Sequence, residues 1–466
     1  MAQSMQSIGS GEAESAVSRP ARKSSYLKLL LRYPILLLAS GPPYAMVPAD
    51  LHGNYDPTQP HYDFWILFRV ALLFVVAARA VYRLASAPSL LIPRSSRTVL
   101  SLAFFLGVLF AISSVYSSGR TLTIEYAFMY LLTLICVVEF LVDVYQDPPD
   151  WMHFVFGLRF ICLASLFLLL LVLPFNPQLG IMNTHYGFRL LGGGICQVNS
   201  VCPVIAIISA YSFLHSLGSK ILSAFFFLAG AIALAASQWR GAEISLLLVL
   251  IVLGIAWART RKHFVRTVVS VAVASILFTG LVIAVLGSHR VWATFSHDQE
   301  PREVLHGSGR FEQWSALLNY SVRHPQGMGY VAGIRSTRIG QFAKGERWEQ
   351  SPFAFIDNGY MEVLGDAGWL AFLIYATILV MTAACGRRLV KSRSFASVPQ
   401  NGVTSDSLRC TMLLFMYFLL QQMENSDYAI PLRQSFYLQY IVIAFILGQS
   451  AVMLSASHSV EAPITE

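Results

Sequence analysis

Apolar runs long enough to cross a bilayer recur from one end of this chain to the other, and a water-soluble fold cannot absorb them. A hydrocarbon core about 30 Å thick takes a helix of about 20 residues. Inside lipid each backbone N–H and C=O must be satisfied within its own segment, so continuous runs read as helices and not as the alternating strands of a barrel. Only 12% of the 466 residues are charged. A soluble domain carries about 25%, so too little polar surface is left to cover a body of this size.

The expected fold is an all-α polytopic membrane protein with about 12 transmembrane helices. The runs place spans at Tyr26–Val47, Phe64–Leu84, Thr98–Ser117, Leu122–Val142, Met152–Leu173 and Cys196–His215. Further spans follow at Ile221–Ala236, Ala242–Ala258, Thr267–Leu286, Val363–Cys385, Cys410–Met423 and Phe436–Ser455. Pro34, Gly41, Pro42 and Pro43 interrupt the first.

Orientation follows from the Lys and Arg of short links. Basic clusters at the N-terminus, at Arg83–Arg97, at Arg259–Arg266 and at Arg387–Arg409 agree with one solution that puts both termini in the cytoplasm. Residues 1–25 are polar and Ser-rich and read as a disordered cytoplasmic tail, not a cleaved signal peptide. Residues 26–286 then hold the N-terminal membrane helices and residues 363–466 the C-terminal ones. Between them, 287–362 forms a long outer loop of soluble composition, and the spacing in Gln313–Val322 predicts a helix there. The net charge of +8 sits in the links between spans, which excludes a phosphate-tracking stripe and nucleic acid as a partner.

No Cys/His set has zinc-ligand spacing, and no Asp-x-Asp pair suggests a Mg²⁺-nucleotide site, so no metal and no cofactor is expected. Of the six cysteines, Cys196 and Cys202 are the pair near an outer face that could bridge.

Arginines on the outer side oppose the positive-inside bias and need an account. Arg189 lies in a Gly-rich stretch, Arg240 in the very short link Ser237–Gly241, and Arg310 just before the loop helix. Guanidinium groups recognise phosphate oxygens in pairs, and several converging would hold a diphosphate. The alternative is that each snorkels or pairs with a nearby acid such as Glu243. His324-Pro325 with Gly327 and Gly329 reads as a helix stop and tight turn, where His324 packs or caps. Asp357-Asn358 leads into the next span, as a general base at Asp357 or as a helix cap. Trp239, Trp314 and Tyr360 suit sugar faces or serve as interfacial anchors.

Taken in order, Ser237–Gly241, Gly309–Trp314, His324-Pro325 with its glycines, and Asp357-Asn358 with Tyr360, Glu362, Gly365 and Gly368 resemble the O-antigen ligase and polysaccharide polymerase superfamily of bacterial inner-membrane proteins. The resemblance covers about the C-terminal half and implies a GT-C-like, metal-independent glycosyltransferase. Such an enzyme takes glycan from undecaprenyl diphosphate on the periplasmic face and passes it to an acceptor glycan or glycolipid. It implies that Arg189, Arg240 and Arg310 hold the leaving diphosphate; Trp314, His324, Asn358 and Tyr360 are the expected substrate contacts beside them. One departure matters: the family pattern has His-Asn where this chain has Asp357-Asn358. Asp357 then becomes the expected base of an inverting displacement, and the reading tilts from ligase toward polymerase, with a chain-length regulator protein as an implied partner. A transporter is the alternative from another class, marked by repeats and charged midplane residues.

Overall fold

The computed structural model describes residues 26–39, 64–86, 94–177, 181–184, 187–190, 196–259, 310–336, 358–391, 403–425, 430–431 and 433–460. The tail at 1–25, the expected span Thr267–Leu286, much of the outer loop, and Asp357 lie outside them.

The helices are α1 (Tyr26–Arg32), α2 (Ile35–Leu38), α3 (Phe64–Ser86), α4 (Arg94–Ile112), α5 (Arg120–Gln146), α6 (Trp151–Val172) and α7 (Val198–Leu214). They continue with α8 (Lys220–Ser237), α9 (Arg240–Arg259), α10 (Arg310–Arg323), α11 (Gly333–Ser336), α12 (Gly359–Lys391), α13 (Ser405–Gln421) and α14 (Gln434–Val460). Among the described residues, seven helices are long and apolar enough to cross a membrane. The chain is an all-α polytopic membrane protein, and within the described residues the expected spans after the first coincide with helix.

The first span differs from its expectation. Tyr26–Val47 is not one helix: it breaks between Arg32 and Ile35. Pro34 has no N–H to continue the ladder. Arg32 turns aside to pair with Asp147 at 2.5 Å, and the Tyr33 ring packs edge-on against Phe140 and Phe154. The outer segment after α6 also departs from the all-helical reading, since β1 (Ile181–Thr184) and β2 (Gly187–Leu190) form an antiparallel hairpin. Its register sets Arg189 opposite Met182. Cys196 and Cys202 are buried free thiols, so the one bridge the sequence allowed is not made.

α14 is the axis of the bundle, buried along its whole span and surrounded by α4, α5, α7, α12 and α13. Its outer surface is replaced by helix–helix contact, which explains why its polar residues can face inward without meeting lipid. The two ends of the bundle are distinct. Thr123 of α5 donates to Tyr330 O of the loop at 3.0 Å, whereas Asp143 and Glu139 of the same helix pair with Arg83 at 2.5 and 3.2 Å. Twenty residues of helix separate Thr123 from Asp143, about 30 Å. A cavity of 320 Å³ lined by Tyr82, Arg83, Glu139 and Asp143 belongs to that far end. Arg159, a charge within α6, lies over Phe156 at 4.8 Å and Phe226 at 5.3 Å and reaches Ser209 Oγ at 3.5 Å.

Candidate functional site

The site is built on the turn that ends α13. There Glu424 extends its carboxylate over the position that a Cβ at Gly241 would occupy, and Arg310 Nη1 donates to Glu424 Oε2 at 3.3 Å. Arg240, the residue before Gly241, is within electrostatic reach of Arg310, Glu424 and Glu243. Asn358 Nδ2 donates to Met423 O at 3.2 Å, and Gly359 N to Gln422 O at 2.8 Å. The N-terminal ends of α9, α10 and α12 therefore gather around Gln422–Asn425. Helix N-termini carry partial positive charge, so they reinforce the two guanidinium groups in favouring an anion.

Local chemistry places each group. Gln238 adopts a left-handed conformation at φ 52°, which turns the chain sharply enough for α9 to begin at Arg240. Asn358 caps α12, its Oδ1 accepting from Tyr360 N and Met361 N, both at 3.0 Å. The capping reading of that pair is met at Asn358.

The His-Pro turn has a different role from the arginines. His324 ends α10 and stacks on Tyr320 at 4.2 Å. It lies fourteen residues beyond Arg310, about 20 Å along the helix, and so outside the arginine cluster. The glycines that follow dock the loop onto the bundle. α12 breaks at Gly368, whose φ of 82° and ψ of −179° no L-residue adopts easily. Into that break fits Pro325, whose carbonyl accepts from Trp369 N at 3.0 Å. Asp366, nearly fully buried, accepts from Val331 N at 2.8 Å and Ile334 N at 2.9 Å. Tyr330 is stacked on Phe110 at 3.7 Å in the core. Asp366 was missed from sequence, although an acid inside an apolar helix next to two glycines was visible.

The aromatic residues are committed to packing. Tyr360 donates its hydroxyl to Leu419 O at 3.0 Å. Trp314 lies against Leu317, Met328 and Ile334 and meets Phe311 edge-on at 5.3 Å. Trp239 packs on the main core. Of the three arginines, Arg240 and Arg310 lie within electrostatic reach of each other. Arg189 is placed only by its strand, which runs beside α8, the helix that leads to Arg240. Glu424 was not found from sequence, where an acid at a span end reads as a solvated residue.

Residues 224–376 match the family model described as O-antigen ligase. Over that third of its length the chain is similar to the O-antigen ligase family. The matched segment runs from α8 to the middle of α12, so it contains Arg240, Arg310 and the docking turn, while Glu424 lies beyond it. No curated protein matches the chain. It is a multi-pass membrane protein, and its matched segment is similar to a family of membrane enzymes described as O-antigen ligases.

Proposed function

We propose that this protein is a polysaccharide polymerase that extends undecaprenyl-diphosphate-linked repeat units at the periplasmic face of a bacterial inner membrane. The observation that carries the reading is the approach of Arg240 and Arg310 about one acid, at the point where three helices begin. Two guanidiniums and converging helix N-termini neutralise charge as it builds on a departing diphosphate, without reorganisation at the moment of transfer. The acceptor hydroxyl attacks the anomeric carbon from the face opposite the diphosphate, the C–O bond to phosphate breaks, and Asp357 takes the hydroxyl proton. Arg189 completes the diphosphate grip from the hairpin. Glu424 positions Arg310 and keeps the two arginines from repelling each other before substrate arrives.

The ligase reading, with lipid A-core as acceptor, shares every one of these residues apart from the base. The Asp in place of the family histidine favours the polymerase. A deletion strain separates the two: single repeats accumulate if the protein polymerises, and long unattached chains accumulate if it ligates. Normal polysaccharide length and attachment in that strain would overturn both.

A further inference from the structure

Next to the Arg240–Glu424–Arg310 cluster, the ends of α7, α13 and α14 carry an uncharged polar layer that the transfer step above does not use. Asn199, Gln421, Gln422, Ser435 and Gln439 are all nine-tenths or more buried. Hydrogen bonds link them across four helices. Gln439 Nε2 donates to the Tyr375 hydroxyl at 3.1 Å, and that hydroxyl donates to Gln422 Oε1 at 2.5 Å. Tyr417 Oη lies 2.5 Å from Asn199 O and 3.5 Å from Gln421 Oε1. Ser435, one turn before Gln439, donates its N–H to Gln197 Oε1 at 2.8 Å beside the start of α7.

Within this frame Asn199 Nδ2, Gln421 Nε2, Gln422 Nε2, Ser435 Oγ and Gln439 Oε1 have no partner among the described residues. A buried polar atom without a partner costs about 1–3 kcal/mol, and native interiors keep few of them. Five in one layer call for a ligand with matching groups. They offer three amide N–H₂ donors, a hydroxyl and a carbonyl acceptor, all neutral. A sugar ring, whose hydroxyls both donate and accept, has that complement; an anion or an alkyl chain does not. The layer also has the correct neighbour, since Gln422 stands two residues before Glu424 and its carbonyl holds the start of α12.

We propose that this layer is the subsite for the sugar attached directly to the lipid diphosphate, a subsite that rests on the diphosphate reading of the arginines. The amides select for hydroxyl placement on that first ring, while the arginines bind any lipid diphosphate.

The test uses the full chain in lipid nanodiscs with citronellyl diphosphate as probe, bare or carrying glucose, galactose, N-acetylglucosamine or N-acetylgalactosamine. At least one of the glycosylated probes should bind about tenfold tighter than the bare lipid. Gln421→Leu and Gln439→Leu should each remove most of that preference while leaving the bare lipid's affinity unchanged. Gln421→Leu should keep its melting temperature, because the buried amide nitrogen it removes has no partner, while Gln439→Leu also gives up the bond to Tyr375 and should melt slightly lower. If all four probes bind like the bare lipid, or the variants keep the preference, the layer holds only water and the subsite is refuted. Failure of the diphosphate reading looks different: the bare lipid would bind equally well to Arg310→Ala, and both inferences would fall.

Discussion

The Glu424 carboxylate occupies the place where a Cβ on Gly241 would stand, and so ties the end of α13 to the beginning of α9 while it accepts from Arg310. A single methyl group at position 241 is therefore incompatible with the arrangement, although alanine is the better helix former. Gly241→Ala should insert and fold normally yet transfer glycan at least about tenfold more slowly, because Glu424 must swing away and release Arg310. Shortening the acid in the same background, as Gly241→Ala with Glu424→Asp, should recover part of the rate. An unimpaired Gly241→Ala enzyme would show that the contact has no part in activity.

Arg310 is expected to act in the transition state as well as in binding the lipid diphosphate. Arg310→Ala should lower kcat on the order of 10²–10³-fold with detergent-solubilised melting temperature unchanged. Arg310→Lys should recover little, because an ammonium presents a point charge where a guanidinium presents a fork. A variant that changed KM alone would assign Arg310 to uniform binding instead.

Hydropathy made the bundle legible because a bilayer imposes one rule on every span: about 20 apolar residues with internally satisfied backbone. The same rule exposed Arg240 and Arg310, since positive charge on the outer side has no default explanation. What stayed hidden obeys no such rule. Glu424 sits at the end of a span, where an acid is ordinary, and its importance lies in contact with Gly241 and Arg310, 183 and 114 residues away. The break at Pro34 depends on Asp147 drawing Arg32 aside, a pairing that no local pattern contains. In sequence Arg189 reads as part of a Gly-rich stretch, and its place in a hairpin rests on the pairing of Gly187–Leu190 with Ile181–Thr184, which no apolar run announces.

The loop should depend on its clamp. Asp366→Ala removes the acceptor shared by Val331 N and Ile334 N and leaves two buried donors unmet. About 1–3 kcal/mol per donor should be lost, read as a lower melting temperature and as faster proteolysis within 325–336. Gly368→Ala should be harsher still. Its φ of 82° is forbidding to a side chain, and the added Cβ would meet the Pro325 carbonyl. Reduced yield of folded protein is the expected result, and normal yield with normal proteolysis would mean that the kink is not needed to seat the loop.

The Asp357 substitution tests the base most directly. A general base must be deprotonated to act, so activity fails as pH drops through its titration. A carboxylate stays deprotonated to lower pH than an imidazole does. Asp357→Ala should abolish transfer, whereas Asp357→His, which restores the family's own residue, should retain measurable activity. The acid limb of its pH profile should move upward, because imidazole accepts a proton where the carboxylate still resists one. The shift must appear in kcat/KM for the acceptor and not in the affinity for the lipid diphosphate, which the arginines govern. An Asp357→His enzyme whose pH profile overlays that of the parent would show that another group takes the proton, and Glu424, the acid between Arg240 and Arg310, would be the residue to replace next.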